Sequence, residues 1–277
     1  MLLALVLNLV SEQTVTLPGE LGRANYSATL DRLGQFDAEL ARRLHDSDGV
    51  KPLTCSGILN GCRSPNQTVK AGETYGVRMT ALTEQVGRAL RAVLLEDQPA
   101  YWDLARETLR PGEHTFRVAE VICDPMRHSW SGQSSHQDLL ADAVRAGNHL
   151  PHRVTLEFAG ATAFKSQEIQ QPVPLPALVF GSLIERWNAT SALPIDLDMR
   201  RIAEQSIGIS RYRLESYPVP HKNGSLRIGG VGQVTYELLH GDSDPLKAMN
   251  ILADFAFYSG VGVQTTNGMG RCRRLWD

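Results

Sequence analysis

Met1-Leu2-Leu3-Ala4-Leu5-Val6-Leu7-Asn8-Leu9-Val10 opens the chain, and whether this run is a leader or a strand settles what kind of structure follows. It has the apolar density of a secretory leader. It lacks a basic n-region, however, and Ser11-Glu12-Gln13 is no small-residue cleavage site. Its ten residues also fall far short of the roughly 20 that a membrane-spanning helix needs. The run is expected to be a buried strand. No other stretch approaches a membrane span, so a soluble, cytoplasmic protein is expected.

From that strand the spacing of apolar residues gives a helix over about 23–34. Tyr26, Leu30 and Leu33 share one face of it, and Gly34 is expected to stop it. Asp37 suits the N-cap of a second helix, 38–44. Strands over 51–59 and 74–82 flank the polar stretch 60–72, and a helix over 83–96 leads to a strand over 115–123. The order is β-α-β-β-α-β. The second half repeats it, with a strand at 153–158, helices at 177–188 and about 196–205, strands at 207–215 and 230–239, a helix at 245–258 and a strand at 271–276. This order is the split βαβ, or ferredoxin-like, unit. The expected class is α+β with two tandem ferredoxin-like (RRM/RAMP-type) domains, 1–126 and 151–277, joined by a polar, His-rich connector, 127–150. Element order alone specifies no function.

The composition agrees. A chain of 277 residues suits about two domains. With 28 basic and 30 acidic residues the net charge is −2, which excludes a binder of bulk positive charge but not a local basic surface. At 42% apolar the chain is not disordered. Cys55, Cys62, Cys123 and Cys272 form no C-x-x-C pair, which argues against a zinc ribbon or redox motif and fits a reducing compartment. His128, His136, His149 and His152 gather in the connector without any recognised zinc spacing, so no metal and no other cofactor is expected. His114, His221 and His240 fall in predicted turns and are expected to be exposed. Arginine outnumbers lysine 23 to 5, a bias that fits forked phosphate contacts and equally a GC-rich genome.

The most distinctive stretch is Ser259-Gly260-Val261-Gly262-Val263-Gln264-Thr265-Thr266-Asn267-Gly268-Met269-Gly270. Glycines let a backbone turn sharply and set N–H groups against a phosphate. They also serve a tight αβ connection that needs positive φ. The usual nucleotide motifs fail. Gly270 is followed by Arg271-Cys272 rather than Lys-Ser/Thr, position 265 is Thr, and the loop lies between helix and strand.

Phe255-Ala256-Phe257-Tyr258-Ser259-Gly260-Val261-Gly262 with Thr265-Thr266-Asn267-Gly268-Met269-Gly270 resembles the C-terminal signature of the Cas6 family, CRISPR RNA-processing endoribonucleases of the RAMP superfamily. Leu44-His45 followed by Lys51-Pro52-Leu53-Thr54 resembles the family's N-terminal motif. His128-Ser129-Trp130-Ser131-Gly132, the run Phe158–Lys165, and Pro174-Leu175-Pro176 with Arg186-Trp187-Asn188 resemble its middle segments. The resemblance covers nearly the whole chain in order. It implies tandem ferredoxin-like domains and metal-independent cleavage of CRISPR repeat RNA (pre-crRNA), giving crRNA with 2′,3′-cyclic phosphate and 5′-hydroxyl ends. The alternative is a non-catalytic RNA-binding RAMP subunit of an effector complex. A nucleotide-binding enzyme is a third reading, against which the order helix, glycine loop, strand argues.

His45 sits at the predicted end of a helix, with the turn Asp48-Gly49 before Lys51, so both side chains can reach one site. Histidine serves as acid or base near neutral pH, and a lysine charge stabilises a developing phosphorane. The resemblance implies these roles for His45 and Lys51. The tyrosine that many members carry aligns with Leu30 here, and Tyr26, one turn earlier, is the candidate to replace it. For RNA binding, Arg200 and Arg201 lie on a helical piece. Arg211 and Arg213 share one face of a strand, with Tyr212 on the other. These four are expected to form a groove for A-form RNA, joined by Lys165, Gly260, Gly262, Gly268, Gly270 and Arg271. The expected partners are CRISPR repeat RNA, as a stem-loop, and other Cas proteins of an effector complex; no membrane is expected.

Overall fold

The structure, a computed structural model, describes residues 1–59, 66–104, 115–220 and 225–276. Cys62, His114 and His221 lie outside the described residues. The chain divides into two compact units, Met1–Gln133 with Thr266–Gly268, and Ser134–Thr265 with Met269–Asp277.

In the first unit the opening run is strand β1 (Leu2–Ser11). It is followed by β2 (Val15–Pro18), α1 (Gly22–Phe36), α2 (Ala38–Asp46), β3 (Leu53–Ile58), β4 (Asn66–Val69), β5 (Thr74–Ala81), α3 (Glu84–Arg91), β6 (Tyr101–Asp103), β7 (Thr115–Ile122) and β8 (Gly132–Ser134). The main sheet runs β3-β5-β1-β7-β6, with β1 antiparallel to both β5 and β7. Leu3, Leu5, Leu7 and Leu9 face the core beneath the helices, while Ala4 and Val6 on the opposite face are equally closed to solvent. A strand covered on both faces has no reason to alternate polar residues, which explains the apolar run Leu2–Leu7. Opposite Val6, buried Arg78 donates Nε to the Trp130 carbonyl at 2.7 Å.

Helix α1 passes through Gly34, the expected stop, and ends two residues later. A helical glycine costs only about 1 kcal/mol relative to alanine, less than burial of Leu33 on the same turn contributes. The stop is Asp37. Its N–H closes on the Leu33 carbonyl at 2.7 Å, and its Oδ1 accepts from the Leu40 N–H at 2.9 Å as the N-cap of α2. The polar stretch after β3 also holds a strand, since β4 pairs with β2 in a separate two-stranded ribbon.

The second unit contains α4 (His136–Ala146), β9 (Arg153–Thr162), β10 (Phe164–Ser166), β11 (Ile169–Gln171), α5 (Pro176–Thr190), α6 (Met199–Ser206), β12 (Ile207–Pro220), β13 (Leu226–Leu238), α7 (Ser243–Ser259) and β14 (Cys272–Leu275). Its sheet runs β12-β13-β9-β14. In each unit the principal strands are therefore ordered second, third, first, fourth, which is the tandem ferredoxin-like arrangement of an α+β chain. Strand β12 extends five residues beyond its expected end, through Pro218 and Pro220. An edge strand tolerates proline because its outward N–H has no partner to lose. Within the expected connector, Ser135 caps α4 by accepting from the Asp138 N–H at 3.0 Å. His136 is then buried with its ring 4.7 Å from that of Trp187 and 5.5 Å from that of Phe255. Among the described residues no helix is long and apolar enough to cross a membrane.

Candidate functional site

His45 occupies the last turn of α2 with its side chain 72% exposed. Its Nδ1 lies 2.8 Å from Asp46 Oδ1. A carboxylate only accepts, so this contact places a proton on Nδ1 and leaves Nε2 to face outward. The same bond, with the charges of Arg42 and Lys51 behind it, holds the Asp46 carboxyl below its ordinary pKa.

Tyr26 and Lys51 reach the same turn from its carbonyl side. The Tyr26 phenol donates to the Leu44 carbonyl at 3.0 Å. Lys51 Nζ donates to that carbonyl as well, and to the His45 carbonyl at 2.7 Å, while lying 5.8 Å from the Tyr26 ring centroid. A helix C-terminus leaves its last carbonyls without intrahelical donors, and here one ammonium and one phenol supply them. Burial pushes the Tyr26 phenol up to about 12, so it stays neutral and acts as a donor. Partial burial lowers the Lys51 pKa. Leu30, at the position aligned with the family tyrosine, packs against the core. The structure thus gathers Tyr26, His45 and Lys51 at one helix end. The imidazole faces solvent, and the other two are bonded to main-chain oxygens. Asp46 belongs to the cluster and was missed in the sequence, although its adjacency to His45 was visible.

In the glycine loop Gly260, Gly262, Gly268 and Gly270 all have left-handed φ, from 61° to 97°. At Gly262 a Cβ would stand 2.3 Å from the Ala163 carbonyl oxygen. Three of the N–H groups expected to cradle phosphate are already used. Gly260 donates to the Ala256 carbonyl at 3.0 Å, Gly262 to Ser182 Oγ at 2.9 Å and Gly270 to the Ala161 carbonyl at 2.9 Å. These glycines therefore shape the loop before they offer it to any ligand. Arg186 clasps it, donating to the Gly262 carbonyl at 2.6 Å and to Thr265 Oγ1 at 3.1 Å. Burial lowers the Arg186 pKa to about 10. Sequence reasoning had marked Arg186 only as part of a motif. Arg271 donates to the Ala159 carbonyl at 3.3 Å, and Lys165 is exposed on β10.

The four groove arginines separate. Arg200 pairs with Glu185 of α5 at 2.6 Å and lies against Gly181, within the helix layer. Arg201 stands 3.7 Å from Asp198. Arg211 and Arg213 lie on the opposite face of the sheet. Their register partners Thr235 and Gln233 alternate with Val234 and Tyr236, which are buried beneath the helices. Neither Arg211 nor Arg213 has a carboxylate partner among the described residues. Among these residues, too, no three His, Cys, Asp or Glu side chains come together as a metal-binding group.

Residues 156–272 match the sequence model of the family described as CRISPR-associated endoribonuclease Cas6. Thermus thermophilus Cas6 (TTHB231), solved as a product complex, is 26% identical to the chain with 99% of each chain covered and a TM-score of 0.79. Along nearly its whole length the chain is similar to Cas6 proteins. A second Cas6 product complex (TTHA0078) is 25% identical over 99% of both chains at a TM-score of 0.75, and the same protein as a substrate mimic complex is 27% identical, also over 99% of both chains, at 0.67. No curated protein sequence matches the chain. The Cas6 sequence match begins in β9 and ends at Cys272, so it takes in the glycine loop and Arg186. His45, Asp46, Tyr26 and Lys51 precede it, and there the likeness to Cas6 is carried by the structures that align along nearly the entire chain.

Proposed function

We propose that this chain is an endoribonuclease that binds CRISPR repeat RNA and cleaves it by attack of a ribose 2′-hydroxyl on the adjacent phosphate. His45 Nε2 takes the 2′-hydroxyl proton or delivers one to the departing 5′-oxygen, leaving a 2′,3′-cyclic phosphate and a 5′-hydroxyl. Asp46 stabilises the imidazolium that forms when Nε2 gains a proton. Lys51 and Tyr26 hold the helix end that carries the imidazole, and the ammonium places positive charge beside the scissile phosphate. No step in this scheme needs a metal ion. The observation that carries the reading is the outward imidazole paired to a carboxylate on a helix end fixed from beneath. That arrangement serves proton transfer and is not needed for packing.

Incubation of the purified chain with labelled repeat RNA in EDTA tests it. Cleavage is expected, with loss in His45→Ala and with a 2′-deoxy nucleotide at the scissile position, while binding persists. Binding without cleavage by the native chain would overturn the proposal in favour of a non-catalytic RAMP subunit.

A further inference from the structure

We propose that the polar face of the second unit's sheet binds an unpaired nucleotide of the RNA. This rests on the RNA reading above and names the part of the RNA that this face takes. The register sets Thr235 between Arg211 and Thr155, with Leu275 beyond, and in the next row sets Gln233 between Arg213 and Glu157. Around Arg211, Arg213, Gln233 and Thr235 lies a cleft of about 390 Å³, lined also by Arg153 and Leu275. That volume falls within the roughly 300–1,000 Å³ of small-ligand sites.

Charge on this face is unevenly satisfied. Arg153 pairs with Glu237 at 2.9 Å and Arg273 with Glu157 at 2.6 Å. Arg211 and Arg213 pair with no carboxylate among the described residues. Two residues apart on one strand, about 6.6 Å, they present two free guanidinium groups to one cleft. Guanidinium takes phosphate in a forked contact and offers a flat face on which a base stacks. Beside them stand groups suited to a base edge. The exposed Gln233 amide both donates and accepts, and the Thr155 and Thr235 hydroxyls, 2.9 Å apart, keep capacity beyond their mutual bond.

A duplex would leave these groups idle. A-form RNA presents phosphates and 2′-hydroxyls over a broad surface with its base edges paired, whereas an unpaired nucleotide can be splayed into a cleft and read at its edge. The combination of free guanidinium, amide and hydroxyl in a concave site therefore favours single-stranded RNA flanking a stem.

The test compares labelled repeat stem-loop RNA, bare or with short randomised single-stranded flanks, 2′-deoxy at the scissile position, binding to the full chain in EDTA. The native chain is expected to bind the flanked RNA about tenfold more tightly or better. Arg211→Ala with Arg213→Ala should bring that ratio close to one and make the salt slope for flanked RNA shallower by about 1.4. Gln233→Ala, which keeps the charge, should reduce the ratio, as should abasic nucleotides in the flank. Equal affinity of the native chain for both RNAs would overturn the proposal and leave the RNA reading standing; a face kept for an acidic protein partner gives that result. Equal loss on both RNAs in the arginine variant would place the stem here and also overturn it. Failure of the native chain to bind either RNA would reject the RNA reading itself.

Discussion

Tyr26 and Lys51 converge on one atom, the main-chain oxygen of Leu44. Each occupies capacity on a carbonyl that α2 itself leaves unpaired, so removing either leaves the other in place. Tyr26→Phe is expected to cost about 1 kcal/mol and Lys51→Met about 1–2 kcal/mol. The double variant, which alone strips the carbonyl of both donors, should cost more than the sum by about 0.5–1 kcal/mol, as measured by urea unfolding. Under single turnover Tyr26→Phe should slow cleavage less than tenfold. A loss equal to that of His45→Ala with stability unchanged would show that the phenol touches the substrate instead.

The contact between His45 Nδ1 and Asp46 Oδ1 predicts a graded series. His45→Ala should lower the single-turnover rate by about 10²–10⁴-fold. Asp46→Ala should lower it about tenfold and Asp46→Asn less, because the amide oxygen still accepts from Nδ1. Both side chains are exposed, so none of the three variants should change stability by more than about 0.5 kcal/mol. An Asp46→Ala rate equal to the native one would remove the carboxylate from the mechanism.

Much of the fold was legible because local signals coincided with tertiary ones. Leu2 to Leu7 form an unbroken apolar run because β1 is central and covered on both sides. Asp37 was legible as a cap because its carboxylate acts within three residues. Gly34 misled because helix propensity is a weak preference, and the burial that overrides it depends on residues distant in sequence. Strand β4 was missed because its partner β2 lies some fifty residues earlier. At the site, His45 and Lys51 were readable from spacing and resemblance, but the direction of Lys51 toward the Leu44 and His45 carbonyls was not. Arg200 and Arg211 look alike in sequence. Only the position of the helix layer separates the one bonded to Glu185 from the one facing the cleft.

The glycine loop depends on a clasp outside it. Arg186→Ala removes bonds to the Gly262 carbonyl and Thr265 Oγ1 from a half-buried site and should destabilise the second unit by about 1–3 kcal/mol. Arg186→Lys should rescue little, since an ammonium cannot span both acceptors with a planar fork. Gly262→Ala combines φ of 79° with a Cβ driven to 2.3 Å from the Ala163 oxygen, and it should cost about 3 kcal/mol or more. Urea unfolding checks both. A native-like midpoint for Gly262→Ala would mean that the loop relaxes freely.

His136 gives the second unit an acid sensitivity of definite sign. Burial between Trp187 and Phe255 lowers its pKa to about 4, from an ordinary value of 6.5. Between these values the unfolded chain binds a proton that the folded chain refuses, so stability rises with pH across this window and is lost as pH falls from about 6.5 toward about 4. His136→Phe keeps an aromatic ring against Trp187 and removes the titration. Unfolding midpoints measured from pH 7 to pH 4 should therefore fall less steeply in His136→Phe than in the native chain. Parallel slopes would mean that the imidazole is protonated in place without cost.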